Sequence, residues 1–396
     1  MAKALGEIGA AFLKLGLISF GGPIAHLGYF REEFVARRGW LNDETYVDLV
    51  ALCQFLPGPA SSQVAFALGM MRAGLAGAVA ATVCFTLPSA VLLIAFAYGL
   101  SRASDLTHAG WLHGLKLAAV VVVAQAVWAM GRKLCTDTVR VSIGLGAAVV
   151  VLAAPGAWSQ VGVIACGALL GRLMCGGRVR EAQEVGVREK GWARGHAGAA
   201  AALAAFVVLL AALPLLASWS GSRLMAEFDS FYRSGALVFG GGHVVLPLLR
   251  EEVVPRGWIS DDAFLAGYGV AQAVPGPLFT FAAYLGTVMH AGSHAWLGGV
   301  WCLIAILLPA WLLIGGALPF WHRLRESAWA QGALRGANAA VVGVLLAALY
   351  TPVFAAAVAG GRDMAAVLAG FGVLQFWKAP PWAVVVGMAA LGQWVL

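Results

Sequence analysis

Two short segments of this chain pair residues that break helices with residues that donate hydrogen bonds. Leu56-Pro57-Gly58-Pro59 is flanked by Gln54 and by Ser61, Ser62 and Gln63; Val274-Pro275-Gly276-Pro277 is flanked by Gln272 and Thr280. Upstream of each lies a glycine break, Phe20-Gly21-Gly22-Pro23 and Phe239-Gly240-Gly241-Gly242, preceded by a cation, Lys14 and Arg233. Proline removes a backbone donor and clashes with the preceding turn, and consecutive glycines permit positive φ. Each Pro-Gly-Pro should therefore end one half-helix and begin another, because proline suits the first helical position. The new starts, near Ala60 to Gln63 and near Leu278 to Phe281, would present unpaired N–H groups and a positive dipole end. That is an anion site in outline. Gln54, Gln272, Ser61, Ser62 and Thr280 would serve it as neutral donors or cap the half-helices. The competing reading is a pair of packing kinks, with Lys14 and Arg233 snorkelling to an interface.

Other groups could join such a site. Lys116 aligns with Asn338, and both donate hydrogen bonds to an oxyanion. Asp48 is the one carboxylate well inside a first-half apolar run, a candidate proton carrier, although Asn42, Asp43 and Glu44 just ahead also mark a helix start. His26 and His243 follow the two glycine breaks and titrate near neutrality when unperturbed. The repeated Arg-Glu-Glu triplets, 31 to 33 and 250 to 252, read as solvated helix-end structure, with gating as the alternative. The sequence has no P-loop, no HExxH and no Cys/His cluster, so neither a cofactor nor a metal is expected. Its six scattered cysteines look like small buried apolar residues.

The elements that position these residues must lie in a membrane. The chain has 396 residues, 61% apolar and only 11% charged, against about 25% charged in soluble domains. That excludes a cytosolic enzyme or a secreted domain. No cleavage-like site follows Met1 to Ala11, so no removable signal peptide is expected. Apolar runs of the ~20 residues needed to span occur at about 8–30, 46–71, 74–100, 110–131, 139–154 and 157–175. After a polar stretch they resume at about 197–219, 231–249, 263–288, 295–321, 333–351, 353–376 and 380–396. The expectation is an all-α polytopic protein of ~10 to 13 membrane segments, with helices broken at the Gly/Pro motifs. It divides as a first repeat at 1–175, a polar cytoplasmic linker at 176–196, a connecting helix at 197–219 and a second repeat at 220–396. If every run crosses once, 17 Lys and Arg fall on the side of the N-terminus and six on the other, which places the N-terminus in the cytoplasm.

Sliding the second half over the first at an offset of about 219 exposes an internal repeat. Between Phe12 and Pro59, 18 of 48 columns are identical, including both glycine breaks, both Arg-Glu-Glu triplets and both Pro-Gly-Pro segments. Pro88 also meets Pro309, and Gly114 to Val121 meets Gly336 to Gly343. An odd number of crossings before the second copy would make the halves an inverted-topology repeat, the arrangement used for alternating access.

With these residues in place, the sequence resembles the chromate ion transporter family, in particular its long two-domain members. The likeness rests on Phe12-Leu13-Lys14-Leu15-Gly16, Phe20-Gly21-Gly22-Pro23 with His26, Gln54 to Pro59, Phe239 to His243 and Gln272 to Pro277. The resemblance implies an inner-membrane secondary transporter that exports chromate, a tetrahedral dianion, and confers chromate resistance. Sulfate or another oxyanion as substrate, a passive anion channel, a proton or other coupling ion, and a homodimer all stay open.

Overall fold

The computed structural model describes residues 2–102, 110–175, 196–239, 242–290, 292–320 and 327–394, and its regular elements are helices. Helix α1 (Ala2–Ile18) leads to Gly21 and Gly22, whose φ of +98° and +75° suit glycine alone. The chain reverses there into α2 (Gly22–Arg31), which continues as a π-helical stretch, Glu32–Arg37. The reversal brings Phe12 onto Phe30 and Phe34, and Lys14 onto Glu33.

A second hairpin follows. Asn42 caps α3 (Asp43–Phe55) by accepting from the Thr45 N–H at 2.8 Å, as the Asn-Asp-Glu start predicts. Pro-Gly-Pro turns the chain into the first arm of α4 (Ala60–Arg102). That arm returns to Arg72, which pairs with Glu7 and lies 5.3 Å from the Trp40 ring. Both hairpin tips therefore point to the middle of the protein, and their open ends share one face, the near face. Gly74, at φ +64°, redirects α4, whose second arm runs to the far face. The runs at 8–30 and 46–71 thus enter and return, which corrects the assumption that every run crosses once.

Helix α5 (Gly110–Leu134), the hairpin of α6 (Thr138–Ala153) and α7 (Ala157–Met174), and α8 (His196–Ser220) come next. The second half then repeats the plan from the far face. Helix α9 (Arg223–Ala236) starts where Arg223 donates to the Met289 carbonyl at 2.8 Å. It is followed by α10 (Val245–Val253), α11 (Asp261–Ala273), α12 (Phe281–Val288) and α13 (Ala295–Ala317). Tyr98, near the far end of α4, bonds the Ser293 carbonyl and the Trp296 N–H. Then come α14 (Ala328–Ala348) and the hairpin of α15 (Gly361–Gln375) and α16 (Pro381–Trp394). The halves are an inverted-topology repeat. Among the described residues, Ala60–Leu100, Gly110–Leu134, Ala197–Ser220, Ala295–Phe320 and Ala328–Ala357 are long and apolar enough to cross a bilayer.

The hairpins move basic residues between faces. Lys3, Arg31, Arg37, Arg38, Arg72, Arg132, Lys133, Arg140, Arg172 and Arg335 lie at the near face; Arg102, Arg223, Arg250, Arg256 and Arg362 lie at the far face. The bias toward the near face survives the correction. Residues 176–195, which make up all but the last position of the polar linker, fall outside the described residues.

Glycines let equivalent helices approach closely in each half. A Cβ on Gly16 would come 2.6 Å from the Phe85 carbonyl oxygen, and one on Gly235 would come 2.2 Å from that of Ile306. Both contacts precede the matching Pro88 and Pro309, where each proline leaves the helix without one bond. Gly16→Ala and Gly235→Ala should each destabilise the fold by roughly 1–3 kcal/mol. A lower melting temperature in detergent would check this, with Gly6→Ala, which meets nothing within 4 Å, unchanged.

Candidate anion site at the crossing of the broken helices

Each of the two Pro-Gly-Pro turns is bonded to the other half. The Gly58 N–H donates to the Val238 carbonyl at 2.7 Å, and the Gly276 N–H donates to the Ser19 carbonyl at 2.9 Å. Val238 and Ser19 are equivalent positions, each just before its glycine break. Both turn glycines have positive φ, +117° and +103°. A Cβ would meet Ala310 at 3.1 Å from Gly58 and Ser89 at 2.8 Å from Gly276, again equivalent positions.

Polar side chains gather around this crossing. Gln63 Nε2 donates to the Pro57 carbonyl at 2.8 Å, and the Thr280 hydroxyl donates to the Pro277 carbonyl at 2.7 Å. His26 Nε2 donates to the Ser19 carbonyl at 3.1 Å. Ser61, Ser62 and Gln63 are buried in the first turn of α4. Among the described residues, Ser19 Oγ, His26 Nδ1, Ser62 Oγ, Gln63 Oε1 and Gln272 Nε2 are buried atoms without a protein partner. Buried polar atoms left in that state cost about 1–3 kcal/mol each, so a concentration of them marks a place for a ligand or water. Pro59 and Gly58 are buried, Pro57 half-buried, and Pro275 and Pro277 buried.

The cations expected at the anion site are paired with carboxylates, Lys14 and Arg233 within their own halves and Lys116 across to the second half. Lys14 Nζ lies 3.2 Å from Glu33, and the Arg233 guanidinium lies 3.0 Å from Glu252 and 2.8 Å from Asp229. Lys116 reaches Asp262 at 3.0 Å, and Asn338 is half-buried with its Oδ1 unpartnered. His243 bonds the Tyr268 hydroxyl at 2.9 Å. Gln54 is exposed, Asp48 is half-buried, Gly21 and Gly22 form the first hairpin tip, and Gly240 and Gly241 lie outside the described residues. The partners Glu33 and Glu252 were legible as the repeated Arg-Glu-Glu triplets, spaced equally from Lys14 and Arg233, but they read there as helix-end structure or gates, not as partners of those cations.

Glu252 also accepts from Ser230 and Arg256, while Glu33, equally buried, serves Arg37, Arg38 and Lys14, the last far more exposed than its counterpart Arg233. Removing one partner of a buried pair costs about 3–5 kcal/mol, whereas exposed pairs are worth about 1 or less. Glu252→Gln should therefore lower the melting temperature more than Glu33→Gln, measured side by side in detergent.

Equivalent surfaces of the halves differ in burial. On α2, Tyr29 is 39% exposed and its counterpart Leu248 on α10 4%; on α3, Val47 is 60% exposed and its counterpart Leu265 on α11 0%. Helix α11 lies so close to α5 that a Cβ on Gly269 would come 2.7 Å from the Leu115 carbonyl oxygen. The counterpart Ala51 is exposed, as is Gln54. The second-half hairpins share one apolar core with α5, α14, α15 and α16, whereas the first-half hairpins form a separate core closed by Ile314, Ala317 and Leu318. Arg31, bonded to Asp43 at the exposed near face, holds that carboxyl below the usual range through their hydrogen bonds.

The chromate transporter family model matches residues 6–172 and 225–393, one stretch in each half. The chain belongs to the chromate transporter family. It is 29% identical to a chromate transport protein of Pseudomonas aeruginosa, over 98% of this chain and 92% of the relative. It is 26% identical to one of Cupriavidus metallidurans, over 96% and 90%, and 26% identical to a probable chromate transport protein of Synechococcus elongatus, over 88% and 84%. No solved structure matches the chain. As a member of a transporter family with several apolar spans, it is a membrane transport protein.

Proposed function

We propose that this protein is a secondary active exporter of chromate in the inner membrane that confers chromate resistance, binding the oxyanion at the crossing of its two Pro-Gly-Pro turns. The observation that carries the reading is the set of buried donors there: the Ser19 and Ser62 hydroxyls, without a protein partner, the first turn of α4, and the Gln272 amide three residues before the second turn. A dianion leaving water needs its hydration replaced by fixed donors. Hydroxyl, amide and helix-start N–H groups supply these without a free cation, since Lys14 and Arg233 are neutralised in each half. The basic bias of the near face supports a cytoplasmic location for that face and the N-terminus.

The unequal burial of the halves then corresponds to a conformation open to the cytoplasm and sealed outside. The opposite state follows from exchanging the roles of the repeats: α11 leaves α5, and the exposed stripe of Val47, Ala51 and Gln54 on α3 packs against its own neighbours. Outward movement of two negative charges gains ~2.3 kcal/mol per charge per 100 mV of inside-negative potential. Asp48, on α3 beside that stripe, is the carboxylate assigned to proton coupling.

The direct test is uptake of labelled chromate by inside-out vesicles, with sulfate as competitor and with or without a proton gradient. Wild type should accumulate chromate, Ser62→Ala and Gln272→Ala should reduce it at least tenfold at equal protein level, and Asp48→Asn should keep exchange while losing its response to pH. Equilibration without accumulation would identify a passive channel, and stronger inhibition by sulfate than by unlabelled chromate would change the substrate. The open state is tested separately by cysteines placed in a cysteine-free background. Val47→Cys and Tyr29→Cys should react with a water-soluble maleimide from the cytoplasmic side, and Leu265→Cys and Leu248→Cys should not; equal labelling of both sets would reject the assigned state.

A further inference from the structure

An apolar furrow lies away from the crossing, on the outer surface of the α6–α7 hairpin. It encloses about 610 Å³ and is lined by apolar and small residues, among them Ile143, Gly146, Val150, Gly162, Val163 and Leu170. Neighbouring side chains Leu145, Val149 and Leu173 are more than half exposed, as expected of a surface that faces lipid. From Thr138 to Val150 the furrow follows α6 for about 18 Å at 1.5 Å per residue, somewhat more than half of the ~30 Å hydrocarbon core. Its length is that of a chain from one leaflet.

At the near-face end the chemistry changes. A second cavity of about 370 Å³ shares Thr138, Val139 and Met174 with the furrow and adds Asp137, Arg140, Cys175 and Arg335. Arg140 is neutralised by Asp137 at 2.6 Å. Arg335 is not: its guanidinium donates to the Cys175 carbonyl at 3.1 Å and to Gln331 at 3.2 Å, both neutral, and among the described residues it has no ion pair. Arg172, one turn before Cys175 on α7, lies over the exposed Trp329 ring at 5.7 Å, an aromatic at the level where membrane proteins place their interfacial belt. The end of α5 adds Arg132 and Lys133.

We propose that this composite pocket binds an anionic glycerophospholipid, its phosphate on Arg335 and an acyl chain in the α6–α7 furrow. A neutral cavity or a purely apolar one would take any lipid; a guanidinium that has no ion pair among the described residues, at the mouth of an apolar furrow, selects negative headgroups. The site bears on transport through α14. Gly167 and Gly171 of α7 pack directly on Gly336 and Gly332, and Gly144 of α6 packs on Gly343, so the lipid would brace the hairpin behind the helix that carries Asn338.

The test is thermal unfolding of the full-length protein in detergent with phosphatidylglycerol, phosphatidylcholine or inorganic phosphate added, alongside native mass spectrometry. Phosphatidylglycerol should raise the melting temperature and remain bound, and the other two should not. Arg335→Gln and, independently, the furrow-filling Gly146→Leu should each at least halve that shift. Gly146 meets nothing within 4 Å of an added Cβ, so the second variant tests the furrow without disturbing packing. Equal stabilisation by both lipids, a shift with phosphate alone, or an undiminished shift in both variants would overturn the proposal.

Discussion

A backbone that leaves its helix at membrane depth must find partners inside the protein, and the rest of this architecture follows from how that demand is met. The chain is interrupted at both Pro-Gly-Pro turns and at the first glycine break, where water cannot serve as the universal partner. Neither half satisfies its turn alone. Gly58 bonds the carbonyl of Val238, and Gly276 bonds that of Ser19, so each half completes the other across the pseudo-twofold axis. Glycine is required at both positions because φ is positive and the opposite helix leaves almost no room for a Cβ. The same pair of bonds brings two helix starts and a set of unpartnered donors to one place. A structural necessity of broken helices thereby builds a concentration of hydrogen-bonding groups in an otherwise apolar interior.

Charge obeys the opposite rule and is settled locally. Each half carries a cation in an apolar run and answers it with its own glutamate, Lys14 with Glu33 and Arg233 with Glu252. The second half differs in adding a carboxylate, Asp229, and in burying its cation, Arg233, more deeply than Lys14. An unpaired ion at that depth costs several kcal/mol, so a duplicated cation obliges a duplicated acid. This accounts for the Arg-Glu-Glu triplet in both copies better than a helix-end role alone. It also leaves the central crossing to neutral donors, which can hold an oxyanion without competing with a permanent counter-charge.

Pseudo-symmetry makes the difference between the halves informative. Equivalent residues have the same covalent setting, so when Val47 is exposed and Leu265 is buried, the cause lies in how the hairpins pack, not in their local sequence preferences. One pair of hairpins is fused into the large core and the other stands apart with a core of its own. Two packings of one motif within a single molecule show directly that the motif accommodates both.

The sequence by itself determined the environment, the duplication and the points of breakage. Composition required a membrane, identities in register revealed the halves, and Pro57, Pro59, Pro275, Pro277 and the glycines beside them marked where helices must stop, because these limits are local and steric. Only the tertiary structure decided that the first runs turn back at mid-depth. An apolar stretch that returns has the same hydropathy as one that crosses, and both Lys14 and Arg233 look equally free until the glutamates nineteen residues further on fold back onto them. The pairing of each turn with the opposite half was invisible for a related reason. It is made by backbone atoms, which every residue carries, so no residue type announces it.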